Sequence, residues 1–184
     1  MTTLASVLLV PGLHNSGPEH WQSLWQAKHP EYYRLQQADW ETPRCDDWVR
    51  SLHACILQIK SPVVLAGHSL ACATIAHYAA KHADGEGRVA AAFLAAPSDV
   101  EAPTYPPGST GFDPMPLRKF PFHSVVVAST DDPYVTLERA EFFAHSWGSR
   151  LIKIANAGHI NAASGYGPWP DGEQWLEELR EIRA

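Results

Sequence analysis

Short apolar runs alternate along this chain with longer stretches in which apolar residues recur at helical spacing. Five runs have the length and the β-branched or small apolar character of buried strands, and they lie at 6–10, 63–66, 88–96, 124–128 and 151–155. A weaker alternation at 32–37 predicts an outer strand. The helical spacing predicts helices over 18–28, 45–59, 70–82, 137–147 and 172–182. Continuous apolar strands separated by helices predict an α/β fold whose mostly parallel sheet is covered on both faces.

Local residue choices support several of these boundaries. Ser16 is expected to cap the 18–28 helix, with Pro18 in the first turn and Glu19 completing a capping box. The 70–82 helix is apolar nearly all round, which predicts that it is buried. The segment 97–121 holds seven of the fifteen prolines and is expected to be irregular, too short for a large lid.

Length and charge narrow the function classes. With 184 residues, the chain is expected to form a single domain spanning 1–184. Hydrophobic residues make up 45% and charged residues 18%, a composition typical of a globular protein. The net charge is −6 and no basic run occurs, so nucleic acid and anionic membranes are not expected as partners.

The cysteines and the N-terminus indicate the compartment. The chain has three cysteines and no CxxC pair, which favours a reducing environment over a disulfide framework. No Lys or Arg precedes Lys28, and the apolar run at 7–10 is too short for a signal peptide. The apolar stretch at 89–96 is too short to cross a bilayer. A cytoplasmic location is therefore expected.

The string Gly67-His68-Ser69-Leu70-Ala71 lies between a predicted strand and a predicted buried helix. This strand–turn–helix setting is what a nucleophile elbow requires, because the tight turn needs small residues two positions either side of the serine. Ala71 stands where a second glycine is usual and adds one methyl group. The interpretation is that Ser69 is a nucleophile; the alternative is a chance string in a loop.

A nucleophilic serine needs a base and an acid, which in this arrangement follow it in the order acid, then histidine. His159 comes just after the last predicted strand, and Gly158 lets the backbone turn so that the imidazole faces Ser69. The spacing of the other histidines fits no zinc site, so no metal is expected.

The acid is expected after the strand at 124–128. We choose Asp132 over Asp131 because an apolar residue, Val135, follows three positions later, and Asp131 has a simpler role in ordering the turn. Asp99, after the preceding strand, is a distant third candidate. The acid would hold His159 in the correct tautomer.

Acyl transfer also needs two donors for the developing oxyanion. The backbone N–H of Leu70 is one candidate, and the N–H of Leu13, in the loop after the first strand, is the other. His14 is a candidate for contact with substrate. Trp40 and Trp169 are candidates for the rim of a pocket, whereas the tryptophans on helices are expected in the core.

Several motifs in this order resemble one family. They are Val10-Pro11-Gly12, Ser16-Gly17-Pro18-Glu19-His20-Trp21, Asp39-Trp40, Gly67-His68-Ser69-Leu70, Asp131-Asp132-Pro133-Tyr134 and Gly158-His159-Ile160-Asn161. Together they resemble the bacterial branch of the retinoblastoma-binding protein 9-like serine hydrolases over nearly the whole chain. The resemblance implies a compact α/β-hydrolase with strand order 2-1-3-4-5-6, no large lid and no cofactor. It also implies a catalytic triad, which maps onto Ser69, Asp132 and His159. No leucine-x-cysteine-x-glutamate string occurs, so the eukaryotic relative's pocket-protein partner does not carry over.

Two functions from different classes follow. The first is a serine hydrolase that cleaves small or medium acyl esters through an acyl-enzyme on Ser69, with a carboxylesterase preferred to a thioesterase, amidase or peptidase. The alternative is a non-catalytic binding protein on a hydrolase fold, which Ala71 and the general independence of fold and function keep open. A redox role for Cys72 is a minor third reading, because its apolar helical setting is typical of a structural cysteine.

Overall fold

The computed structural model describes residues 4–82 and 87–181. The strands are β1 (Ser6–Val10), β2 (Tyr33–Arg34), β3 (Val63–His68), β4 (Val89–Ala95), β5 (His123–Ser129) and β6 (Arg150–Ile154). The helices are α1 (Trp21–Lys28), α2 (Cys45–Gln58), α3 (Leu70–His82), α4 (Leu137–Trp147) and α5 (Pro170–Arg180), with a 3₁₀ turn at Ala162–Ser164. The strands form one sheet in the order β2-β1-β3-β4-β5-β6, and every pair is parallel. The predicted fold class and strand order are confirmed.

Alternate residues of the central strands belong to two separate hydrophobic cores, one on each face of the sheet. One face packs against α2, α3 and α4, through residues such as Leu65, Leu94 and Val126. The other packs against α1 and α5, through residues such as Val64, Phe93 and Val127. Both faces are apolar because each is covered by helices, which explains why the strands appear in the sequence as continuous apolar runs.

The loops that follow the strands meet at one edge of the sheet. In register, Val10 of β1 lies beside Gly67 of β3, and His68 beside Ala95 of β4. Ser129 of β5 lies beside Ile154 of β6. Because all the strands are parallel, their carboxyl ends face the same way, and the residues just beyond them are brought close together.

Two predictions near the N-terminus are wrong in detail. The outer strand expected at 32–37 is only the two residues of β2, although Leu35 N–H still donates to Leu9 C=O at 2.9 Å. The first helix begins at Trp21, because residues 17–20 form a turn closed by His20 N–H and Gly17 C=O. His20 Nδ1 caps this helix by accepting from Gln22 N–H at 3.2 Å. Ser16 is not the cap, since its hydroxyl donates to the Gln22 side chain instead.

The proline-rich segment 97–121 is irregular, as predicted, with one isolated bridge from Thr110 to Arg44. Three of its side chains, Phe112, Met115 and Phe120, are buried against the core beside α3 and α4. The last predicted helix ended at Ile182, which lies outside the described residues. Within residues 4–82 and 87–181, no helix is long and apolar enough to cross a membrane.

Candidate active site

The turn between β3 and α3 holds Ser69 in a strained conformation. Its φ is +58°, a left-handed value that residues other than glycine seldom adopt and that concentrates at functional sites. A Cβ added to Gly67 would lie 2.7 Å from Ile75 Cδ1, so a side chain there would require the end of Ile75 to shift. The same added Cβ would lie 3.6 Å from the Ala71 methyl group, an ordinary contact distance. Ala71 itself lies fully buried in the first turn of α3, so the elbow forms with alanine in place of the second glycine.

Three predicted side chains form one hydrogen-bonded chain. Ser69 Oγ lies 2.8 Å from His159 Nε2. His159 Nδ1 lies 2.9 Å from Asp132 Oδ2 and 3.0 Å from Oδ1. The Asp132 side chain is fully buried and the His159 side chain is 8% exposed. Gly158, with φ +54°, turns the backbone just before His159.

The other two carboxylates considered for the acid have separate tasks. Asp131 Oδ1 accepts from Gly158 N–H at 2.8 Å and from Ser129 Oγ at 2.7 Å, so it ties the His159 loop to the end of β5. Asp99 pairs with the Arg139 guanidinium at 2.8 Å. Asp132 is the one of the three whose carboxylate lies beside the His159 ring.

The loop after β1 lies against the elbow. A Cβ on Gly12 would lie 2.6 Å from His68 C=O, 3.0 Å from Ser69 Cβ and 3.3 Å from Leu70 N, so only glycine fits at this position. Among the described residues, no oxygen accepts a hydrogen bond from Leu13 N–H or Leu70 N–H. These two N–H groups, on adjoining backbones beside Ser69, are available to a ligand.

A cavity of about 210 Å³ opens above Ser69. Its lining is mostly polar and aromatic and includes no carboxylate, lysine or arginine: Leu13, His14, Asn15, His20, His68, Ser69, Ser98, Tyr105, Pro106, Tyr134, His159 and Asn161. Burial raises the pKa of the Tyr105 hydroxyl to about 12, so it remains a neutral donor. Such a cavity suits an uncharged group that offers hydrogen-bond acceptors.

Of the predicted pocket residues, His14 lines this cavity, while Trp40 and Trp169 do not. Trp169 is buried among aromatic rings, and its ring centroid lies 5.4 Å from that of Trp21 and 5.9 Å from that of Trp25. It therefore packs in the core and not at the rim of the cavity. The Trp40 ring packs on Trp48, and its carbonyl accepts from His14 N–H at 3.0 Å. Trp40 thus supports the loop that carries Leu13 without facing the cavity.

Two histidines that the sequence analysis did not assign to the site, His20 and His68, line the cavity above Ser69. The His20, His68 and His159 rings follow one another at centroid distances of 4.7 and 4.8 Å. His68 Nε2 lies 2.9 Å from His159 C=O, to which it donates. Burial lowers the pKa of His20 to about 3 and that of His68 well below its usual range, so both stay neutral beside His159.

Ser98 is a further site residue that the sequence analysis did not identify. It follows β4 and is 1% exposed, and its Oγ lies 2.9 Å from Ser69 Oγ. A serine in a proline-rich segment carries no distinctive signal. Its position beyond the carboxyl end of a central strand was the clue that could have found it.

No group of three His, Cys, Asp or Glu residues that could hold a metal ion occurs within residues 4–82 and 87–181.

Comparisons with known proteins identify the family and agree with the fold. A model of the family described as "Serine hydrolase" matches residues 7–178. A comparison with curated proteins finds no match. Among solved structures, a Pectobacterium atrosepticum protein named as a YdeN-like hydrolase is 32% identical, with a TM-score of 0.87 over 97% of this chain and 92% of its own.

Two more distant structures share the fold. The ydeN gene product of B. subtilis is 21% identical, with a TM-score of 0.79 over 95% of this chain and 98% of its own. A monoacylglycerol lipase of Paleococcus ferrophilus is 11% identical, with a TM-score of 0.68 over 98% of this chain and 97% of its own.

Proposed function

The chain belongs to the serine hydrolase family, and from this premise we propose that it cleaves small or medium acyl esters through an acyl-enzyme on Ser69. The observation that carries the proposal is the hydrogen-bonded chain from Ser69 through His159 to the buried Asp132. A serine hydroxyl is a weak nucleophile unless a neighbouring base takes its proton, and this chain supplies that base.

In the first step, Ser69 Oγ attacks the ester carbon while its proton passes to His159 Nε2, 2.8 Å away. The Asp132 carboxylate accepts from His159 Nδ1–H, which leaves Nε2 free to take that proton. The same carboxylate stabilises the imidazolium that forms. Asp132 itself is held by Tyr134 N–H, which donates to its Oδ1 at 2.9 Å.

The carbonyl oxygen becomes an oxyanion during this attack, and it needs donors at that moment. The N–H groups of Leu13 and Leu70 are the candidates, since neither has an acceptor among the described residues. The start of α3 adds the positive end of a helix dipole at Leu70. Fixed donors of this kind act without reorganisation, which is why they contribute strongly to acyl transfer.

The remaining steps return the enzyme to its starting state. The His159 imidazolium gives its proton to the departing alcohol oxygen, and the ester of Ser69 remains. A water molecule then gives a proton to His159 Nε2 and attacks the acyl carbon. Collapse of the second intermediate breaks the bond to Ser69 Oγ, which takes the proton back from His159 and releases the carboxylic acid.

The size and lining of the cavity support the proposed substrate class. A volume of about 210 Å³ accommodates a short or medium acyl group rather than a long lipid chain. Its lining has no carboxylate, lysine or arginine, which favours a neutral ester over a substrate bearing a carboxylate or an ammonium group.

The direct experiment is hydrolysis of p-nitrophenyl esters of graded acyl length, with a thioester and an anilide of the preferred acyl group alongside. We expect turnover that is highest for short or medium esters and that is lost in Ser69→Ala. Preference for the thioester or the anilide would change the class of bond that we propose is cleaved, while the acyl-enzyme mechanism would still hold. A well-folded wild-type protein without activity on any of the three would contradict the proposal.

We also propose that the protein works in the cytoplasm. All three cysteines, Cys45, Cys55 and Cys72, are free thiols, which is usual in a reducing compartment. Burial raises the pKa of the Cys45 thiol to about 12 and also raises that of Cys72, so neither is a reactive thiolate. Fractionation of cells followed by immunoblotting tests the location, and recovery outside the cytoplasm would contradict it.

A further inference from the structure

We propose that Ser98 is a further catalytic residue, whose hydroxyl donates a hydrogen bond to Ser69 Oγ and thereby orients and activates the nucleophile. The inference rests on the proposed acyl-enzyme chemistry and adds a fourth side chain to it. Ser98 Oγ lies 2.9 Å from Ser69 Oγ, the atom that forms and breaks the acyl bond.

The direction of this hydrogen bond follows from counting protons. The Asp132 carboxylate can only accept, so His159 Nδ1 carries a proton and Nε2 of the neutral ring is bare. In the resting enzyme, the Ser69 hydroxyl therefore donates its one hydrogen bond to His159 Nε2. Ser69 Oγ has no proton left for Ser98 and must accept, so Ser98 is the donor.

This arrangement leaves Ser69 Oγ with one uncommitted lone pair. Its proton points to His159, and one lone pair accepts from Ser98. The second lone pair is the one available to the acyl carbon. Two fixed hydrogen bonds thus determine the direction from which the oxygen attacks, which is how a positioned nucleophile gains rate over a freely rotating hydroxyl.

A strained backbone turn after β4 positions Ser98 beside Ser69. Ala96, at the end of β4, has φ +49°, a strained value for alanine that redirects the chain after the strand. Its N–H still donates to Val127 C=O at 2.8 Å, so the turn is fixed to β5. One residue beyond Ser98, Asp99 N–H donates to Tyr134 C=O at 2.9 Å, and the Asp99 carboxylate pairs with Arg139. These contacts join the Ser98 loop to the loop that carries Asp132.

A donor at Ser69 Oγ assists both half-reactions. During attack, the oxygen gains negative charge as its proton moves to His159, and the Ser98 hydrogen bond strengthens. In the acyl-enzyme, the same oxygen is an ester oxygen and a weaker acceptor. When the second intermediate collapses, Ser69 Oγ leaves with negative charge and the hydrogen bond strengthens again. The stabilisation is therefore greater in the transition states than in the ground states, as catalysis requires.

The test compares wild type with Ser98→Ala in the fluorophosphonate labelling rate and in kcat and KM for the best ester. We expect both the labelling rate and kcat to fall by about 10- to 100-fold, because the lost hydrogen bond is to an atom that gains negative charge in the transition state. KM should stay within about twofold, since that atom is uncharged in the ground state. Ser98→Thr, which keeps a hydroxyl, should recover much of the loss. If Ser98→Ala does not fold, Ser98→Cys replaces it, since its thiol fills the space but is a weak donor.

A matched control comes from a second pair of hydrogen-bonded serines that is likewise partly buried. Ser124 Oγ lies 2.6 Å from Ser149 Oγ near the start of β5, at the opposite edge of the sheet. Ser124→Ala removes a similar hydrogen bond and should leave kcat unchanged. A Ser98→Ala enzyme with wild-type kcat and labelling rate, or an equal loss of kcat in Ser124→Ala, would overturn the proposal. Failure of the proposed function itself looks different, because wild type would then neither be labelled nor hydrolyse esters.

Discussion

His159 Nε2 lies 2.8 Å from Ser69 Oγ, although the two residues are ninety positions apart in the chain. The contact depends on two residues with a left-handed backbone conformation, Ser69 at φ +58° and Gly158 at φ +54°. This conformation is strained for the serine and ordinary for the glycine. Each lies just beyond the carboxyl end of a parallel strand. The sheet thus brings a hydroxyl and an imidazole together in an orientation that neither loop could fix alone.

Replacing Asp132 tests the acid directly. Asp132→Asn would let His159 adopt the tautomer with a proton on Nε2, which cannot accept from Ser69. We expect kcat to fall by about 10³- to 10⁴-fold with the fold retained. Steady-state kinetics and circular dichroism measure the two effects.

Asp131→Asn is the control for this substitution, because Asp131 contacts Gly158 N–H and not the imidazole. Its amide oxygen can still accept that hydrogen bond, so kcat should stay within about tenfold of wild type. A larger loss in Asp131→Asn than in Asp132→Asn would show that the acid is wrongly assigned.

The fit of the β1 loop against the elbow gives a second prediction. Gly12→Ala would place a Cβ 2.6 Å from His68 C=O and force the loop away from Ser69. Since this moves the Leu13 N–H, we expect kcat to fall by about 100-fold.

Gly17 offers the matched control for Gly12, because an added Cβ there would meet no atom within 4 Å. Gly17→Ala should leave kcat within about twofold of wild type. Equal kcat in the Gly12→Ala and Gly17→Ala enzymes would argue against a role for this loop in stabilising the oxyanion.

The buried histidines make stability depend on pH. Desolvation, with repulsion from Arg34 and His159, lowers the pKa of His20 from 6.5 to about 3, and burial also lowers that of His68. Below pH 6.5 the unfolded chain therefore binds protons that the folded chain does not, and stability falls as pH falls. Between about pH 7.5 and pH 5 we expect His20 to cost about 2 kcal/mol, and His68 lowers stability in the same direction.

Urea unfolding at these two pH values measures the dependence. His20→Gln should remove about 2 kcal/mol of it, and substitution of the exposed His145 by Gln should remove none. Identical pH dependence in the wild-type and His20→Gln proteins would contradict the assignment of a neutral buried His20.

The departure at Ala71 gives a further prediction. The Ala71 side chain is fully buried in the first turn of α3. Restoring the usual glycine with Ala71→Gly should lower the free energy of unfolding by about 1 kcal/mol without raising kcat. A marked rise in kcat would show instead that Ala71 distorts the elbow and impairs the nucleophile.

The sequence was most informative where local pattern and topology agree. Continuous apolar runs identified the buried parallel strands, and parallel strands place their following loops at one edge. Ser69 and His159 could be found because each follows such a strand in a turn containing glycine. Asp132 could be preferred to Asp131 only through the spacing of an apolar neighbour.

Features that depend on tertiary packing were missed. Ser98 reaches Ser69 because Ala96 adopts a positive φ, and alanine gives no sign of this in a sequence. Trp169 was expected at the rim, but the rings of Trp21 and Trp25 provide an aromatic core that buries it. His20 replaced Ser16 as the cap because the Ser16 hydroxyl is engaged by Gln22.

The most direct test of the central claim is the intact mass of the protein after incubation with a fluorophosphonate. If Ser69 is an activated nucleophile, wild type gains a single adduct that peptide mapping places on Ser69. Ser69→Ala gains none, and His159→Ala is labelled much more slowly. A well-folded wild-type protein that gains no adduct would contradict the acyl-enzyme account and favour a binding protein on a hydrolase fold.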